Sequence, residues 1–267
     1  MTLLATGLWF FFGAIIGSFL NVVIWRLPRE ESLLGRSMCP GCGHVLSAWE
    51  LFPIFSFVFL KGKCRQCRKK ISLRYPLIEI ITGLLFAFSW LAMRPETGLG
   101  YLLLAKSLLI VSVFVAVFVI DFEHYLIFDS IIFPAAAAVL LINFIADFAG
   151  HTFVLGGSGH VYGGLLGMVA AVLPFFLIWL VSRGKWMGFG DVKLAIFLGL
   201  ALGWPLVGVN LMAAVLLGGA VSLILLASRR KTLKSQLPFG TFLSVAGVIA
   251  MFYGEQILKW YLALLGF

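Results

Sequence analysis

Apolar residues in this chain come in long unbroken stretches, with no two-residue alternation and no narrow amphipathic stripe. The stretches lie near 4–25, 76–93, 101–120, 127–147, 161–182, 190–204, 205–228 and 238–262. A helix needs roughly 20 apolar residues to cross a bilayer's hydrocarbon core, and most of these runs are that long. They predict an all-α polytopic membrane protein with about eight transmembrane helices. The sixth run is short and is expected to be tilted or only partly spanning. The first run has no basic leading region and no Ala-x-Ala-like site, and it passes straight into Asn21 and Arg26. It reads as a transmembrane helix and not as a cleaved signal peptide.

A single long polar stretch, 26–75, interrupts the pattern. The expected domains are a first transmembrane helix over 1–25, a four-cysteine segment over 26–75 and a transmembrane domain over 76–267. Composition agrees: 62% of residues are hydrophobic and 12% charged, and mean hydropathy is +1.08. The net charge of +9 would suggest nucleic acid until its placement is read. Of the 20 Lys and Arg, all but Arg94, Lys106 and Lys259 fall in the connections 26–75, 183–193 and 229–234, whereas 148–160 holds none. That is the positive-inside pattern. It places the basic connections in the cytoplasm and both termini on the far side. Basic loops beside a bilayer attract anionic headgroups, so membrane lipids, not nucleic acid, are the expected partners.

All four cysteines lie in the polar stretch, as Cys39-Pro40-Gly41-Cys42 and Cys64-Arg65-Gln66-Cys67 with 21 residues between the pairs. Each C-x2-C turn aims two thiolates at one point, and two turns complete a tetrahedron, which is the spacing of a zinc site. A metal would also substitute for the core that so short a segment lacks. Redox-active thiols are an alternative; disulfides are disfavoured by the cytoplasmic placement. His44 is a spare candidate ligand, but four cysteines already fill a closed site, so the zinc should be structural and His44 a loop residue.

Acids are scarce. The aspartates are Asp121, Asp129, Asp147 and Asp191. Asp191 ends Gly188-Phe189-Gly190-Asp191, between two apolar runs, and a carboxylate at membrane depth marks a functional site. The span count puts Asp121 and Asp191 at the same cytoplasmic boundary. Two carboxylates brought close share a proton, one acting as base toward water and the other as acid toward a leaving group. Ion coupling in a transporter would also use such acids, and Asp191 or Asp129 would make a helix N-cap. Lys193 is a candidate partner for substrate or carboxylate, or a membrane anchor.

Taken in order, the motifs resemble the bacterial type IV prepilin peptidases, membrane aspartyl proteases of the GxGD kind. The likeness runs through Gly17-Ser18-Phe19-Leu20-Asn21-Val22, Arg26-Leu27-Pro28, both cysteine knuckles, Arg74-Tyr75-Pro76-Leu77-Ile78-Glu79, the stretch 121–129, Gly188–Asp191 and Pro238-Phe239-Gly240. Phe128 stands where the family usually has proline, and Phe52-Pro53 where it often has Ile-Pro.

The resemblance implies catalysis by Asp121 and Asp191. It implies cleavage of the basic leader of type IV prepilins and pilin-like secretion or competence proteins, at the cytoplasmic face of the inner membrane. It also implies methylation of the new N-terminus from S-adenosylmethionine, with Gly62 and Glu79 as candidate contributors to that cofactor's site. Two other classes were weighed. A transporter would usually show related halves, and none is visible; a non-enzymatic assembly factor would not need paired aspartates.

Overall fold

The computed structural model describes residues 2–150, 159–228 and 237–266. The basic stretch 229–234 and most of the cation-free connection 148–160 lie outside them. The helices are α1 (Thr2–Arg26), α2 (Phe55–Phe59), α3 (Arg74–Met93), α4 (Gly98–His124), α5 (Asp129–Ala149), α6 (His160–Ser182), α7 (Phe189–Leu202), α8 (Leu206–Ala227) and α9 (Phe239–Leu264). Single 3-10 turns occupy Leu27–Arg29 and Ala48–Leu51. Seven of the helices are long and apolar enough to cross a membrane. With α7 they account for the eight apolar runs.

The chain divides into two compact units, Met1–Glu96 and Thr97–Phe267. In the first, α1 and α3 pack along their lengths. Glycine makes the approach possible: a Cβ on Gly13 would strike Phe86, and one on Gly17 would lie 2.8 Å from Glu79 Cα. Close backbone packing at small residues is how apolar helices associate where no hydrophobic force separates them from lipid.

The second unit surrounds α7. Its neighbours are chiefly α6, α5 and α9, and its residues Leu194, Ala195, Phe197 and Leu198 are fully buried. Phe197 meets Phe114 of α4 edge-on at 5.9 Å, and the Phe114 ring fills the notch left by Gly247 of α9. The α6–α7 crossing is tighter still. A Cβ on Gly167 would stand 2.8 Å from Gly199 O, and one on Gly199 would overlap the Met168 backbone. Gly199→Leu is therefore expected to lower stability by about 3 kcal/mol, read as a fall in the thermal midpoint of the detergent-solubilised protein. Gly219→Ala, where a Cβ would meet nothing within 4 Å, is the control that should not lower it and should raise it slightly, alanine being the better helix former.

The 14 residues of α7 span only about 21 Å, short of the roughly 30 Å of hydrocarbon. The helix begins level with α5, because Lys193 reaches Asp129. It stops short of α5's far end. There Asn143 donates to Leu200 O at 3.1 Å and accepts from Lys106 Nζ at 2.7 Å. The Trp204 N–H donates to Gly163 O at 2.9 Å. A backbone end inside the membrane needs such partners.

Candidate active site and metal centre

Asp121 lies in the last turn of α4, which closes on left-handed Tyr125, whose N–H donates to Asp121 O at 2.9 Å. The side chain, 5% exposed, points at the start of α9. There Thr241 donates to Asp121 Oδ2 from its backbone N–H at 2.7 Å and its hydroxyl at 3.1 Å. The first N–H groups of a helix lack intrahelical acceptors and favour negative charge, so α9 offers Asp121 a ready seat. Gly240 is what lets the carboxylate in, for a Cβ there would lie 3.0 Å from Oδ2.

Asp191 is the third residue of α7, and Gly188 is the N-cap. Asp129 is the first residue of α5, and Phe128 is the N-cap. Neither acid is thus a helix N-cap. Asp191 lies within electrostatic reach of Asp121, and Ile127 packs between their supports. A Cβ on Gly190 would meet Ile127 Cβ at 3.1 Å, and one on Gly240 would meet Ile127 Cδ1 at 3.2 Å. The structure therefore brings together two carboxyl groups at two helix N-termini, one tightly held by Thr241 and the other half-buried.

Lys193 serves Asp129, which accepts from Lys193 Nζ at 2.7 and 2.8 Å. The lysine also lies 5.6 Å from the Phe189 ring centroid. Of the roles considered for it, the structure shows pairing with a carboxylate, although not with Asp191.

The cysteine knuckles are two copies of one turn. Isolated antiparallel bridges flank them, Met38 with Val45 and Lys63 with Lys70. Cys39 N–H donates to His44 O and Cys64 N–H to Lys69 O, each at 2.9 Å. Gly43 and Arg68 take the same left-handed position, at φ 70° and 58°. All four Sγ atoms lie within 4.8 Å of one another. Cys39 and Cys67 are 3.8 Å apart, the edge of about 3.8 Å expected for a tetrahedron with 2.3 Å metal–sulfur bonds. The Gly41 N–H, 3.4 Å from Cys39 Sγ, together with hydrogen bonds from Cys42 and Cys64, outweighs the opposing effect of burial, and that thiol is lowered to about 7. The cluster can hold a metal ion. His44 is not part of it and pairs with Glu50 at 3.2 Å. The Ser47 N–H and hydroxyl hold the Glu50 carboxyl below its usual range in a reciprocal helix-start motif.

Glu79 and Gly62 both support the turn around α2. Glu79 is buried, and its Oε2 accepts from the Ile54 N–H at 2.7 Å. Gly62 ends the turn at φ +66° beneath the Phe57 ring. Among the described residues no strand leads into a glycine-rich helix start.

Several polar residues had no assigned role in the sequence. Thr241 follows a motif that was noticed without a role. Asp147, 2% exposed, receives the N–H groups of His160 at 2.6 Å and Val161 at 2.8 Å and so caps α6. Lys106 and His160 lie within its electrostatic reach. Opposite charges in neighbouring spans were the available signal.

Residues 11–93 match the family described as Bacterial Peptidase A24 N-terminal domain, and residues 108–223 the Type IV leader peptidase family. A prepilin leader peptidase/N-methyltransferase of Pseudomonas aeruginosa is 33% identical over 96% of this chain and 92% of that protein. One from Aeromonas salmonicida is 34% identical over 95% and 92%, and one from Burkholderia pseudomallei 33% over 91% and 83%. No solved structure matches. With matches over nearly its whole length, the chain belongs to the type IV leader peptidase family.

Proposed function

We propose that Asp121 and Asp191 are the acid–base pair of a prepilin peptidase. The observation that carries this reading is the seating of Asp121 on α9 with Asp191 in electrostatic range at the start of α7. The chain cleaves prepilin leaders and methylates the new N-terminus, as its relatives' names state. One carboxylate takes a proton from water while the water oxygen attacks the scissile carbonyl. The other carboxyl gives its proton to the departing amide nitrogen as the C–N bond breaks. The pair titrates as a unit.

Substrates extend to pilin-like secretion proteins. The protein lies in the inner membrane with the basic connections, the knuckles and both aspartates toward the cytoplasm, as the placement of Lys and Arg supports. The four-cysteine segment spans 26–75 and the peptidase domain 76–267, although α3, the first helix of that domain, packs on α1 within the first compact unit. Cys39, Cys42, Cys64 and Cys67 hold a structural zinc. S-adenosylmethionine supplies the methyl group; Gly62 and Glu79 contribute by supporting the turn around α2.

The test is incubation of the purified chain, in bilayers, with a prepilin and labelled methyl donor. Failure to shorten the prepilin would overturn the reading. Thr241→Val tests the seat of Asp121. It removes the hydroxyl donor and keeps the N–H, so kcat should fall about fivefold, in line with one hydrogen bond of roughly 1 kcal/mol, with KM little changed.

A further inference from the structure

Inside the polar stretch 26–75 lies a nine-residue apolar run, Phe52-Pro53-Ile54-Phe55-Ser56-Phe57-Val58-Phe59-Leu60, broken only by Ser56. The first unit carries its own depth gauge. The Trp25 ring lies between the guanidinium groups of Arg29, at 3.6 Å, and Arg74, at 5.9 Å. Tryptophan and arginine in this arrangement mark the membrane–water interface.

The apolar run lies below that level. Ile54 N–H donates to Glu79 Oε2, five residues into α3 beyond Arg74, about 8 Å along the helix. The Phe55 ring stacks on Phe11 at 6.1 Å, and Phe11 is 15 residues from Arg26, about 22 Å along α1.

Most backbone N–H groups of the run have partners within the protein. Besides Ile54, the N–H groups of Phe55, Ser56, Val58 and Leu60 all donate to carbonyls of the same short segment, as hydrocarbon requires. One of these bonds, Phe55 N–H to Pro53 O at 2.6 Å, closes a γ-turn with Ile54 at φ 65°. That conformation is strained for a β-branched residue, and the buried Glu79 carboxylate holds it. The side chains point outward even so. Trp49 is 84% and Phe59 81% exposed, and a cleft of about 350 Å³ opens between Trp49, Phe52, Phe55 and Phe59. Directly after the run come Lys61, Lys63 and Arg65, complementary to anionic headgroups.

We propose that Phe52–Leu60 is a re-entrant apolar wedge embedded among phospholipid acyl chains, with Lys61, Lys63 and Arg65 on the headgroups above it. The segment 26–75 is then an interfacial structure whose middle is buried in lipid, and Glu79 is the residue that turns the chain back at depth. This inference does not depend on the peptidase assignment.

The experiment places a benzophenone amino acid at Val58, at Phe59 or at Lys69 in the full-length chain. Each variant is illuminated in bilayers of phosphatidylethanolamine and phosphatidylglycerol. Val58 and Phe59 are exposed, so the label leaves the packing intact. Mass spectrometry should find acyl-chain adducts at 58 and 59 and none above background at 69. The proposal is overturned by no lipid adduct at either position, by cross-links to another part of the chain in their place, or by adducts that vanish when S-adenosylmethionine is added. The last outcome would give the cleft to the methyl donor.

Discussion

Asparagine in place of either Asp121 or Asp191 is expected to lower prepilin cleavage by on the order of 10⁴-fold or more, with the protein still folded and inserted. The change is nearly isosteric. At position 121 an amide oxygen can still accept from Thr241, whose N–H and hydroxyl hold Asp121 Oδ2 at 2.7 and 3.1 Å. What is lost is the shared proton, because an amide neither takes one from water nor gives one to a leaving nitrogen. Groups that act as a unit are non-additive, so the double variant should be no slower than the worse single one. Methylation of an already cleaved peptide reports that each variant is folded. Substantial cleavage by either single variant would remove the dyad from consideration.

The second large effect concerns the knuckles. Cys64→Ser removes a buried sulfur from the cluster whose atoms lie within 4.8 Å of one another. Binding and folding are coupled at such a site, and structural zinc contributes about 10 kcal/mol or more. The wild-type protein should purify with one zinc per chain. The variant should carry none, and protease should cut it between residues 38 and 70. Chelation of the wild type should reproduce the cutting. Stoichiometric zinc retained by the serine variant would end the four-cysteine assignment.

The membrane helices were legible because hydrocarbon imposes length and composition on each span independently of its neighbours. The candidate acid pair rests on a related argument: with so few acids, the span count alone puts Asp121 and Asp191 at one level, and the asparagine variants test whether they act together. Residues whose roles depend on an individual backbone group were not legible. Thr241 acts through its N–H as much as its hydroxyl, and nothing in its identity announces that. Lys193 could be read as an anchor or a partner, and only the shared level of α5 and α7 pairs it with Asp129. Asn143 resembles any polar residue in a span until Leu200 O and Lys106 are placed beside it. The run Phe52–Leu60 does not stand out within the polar stretch 26–75, because nine apolar residues are too few to span a bilayer.

The shortness of α7 has an electrical consequence. Beyond its end the space toward the far side holds Lys106, Asn143, Asp147 and the start of α6, groups that polarise far more readily than alkyl chains. A membrane voltage falls chiefly across the weakly polarisable layer. Over the length of α7 alone a fully apolar layer would be about 21 Å and not about 30 Å, which would steepen the field there by a factor of about 1.4. A charge at the start of α7, where Asp191 lies, would then respond more strongly to a membrane voltage than one at the end of a full-length span.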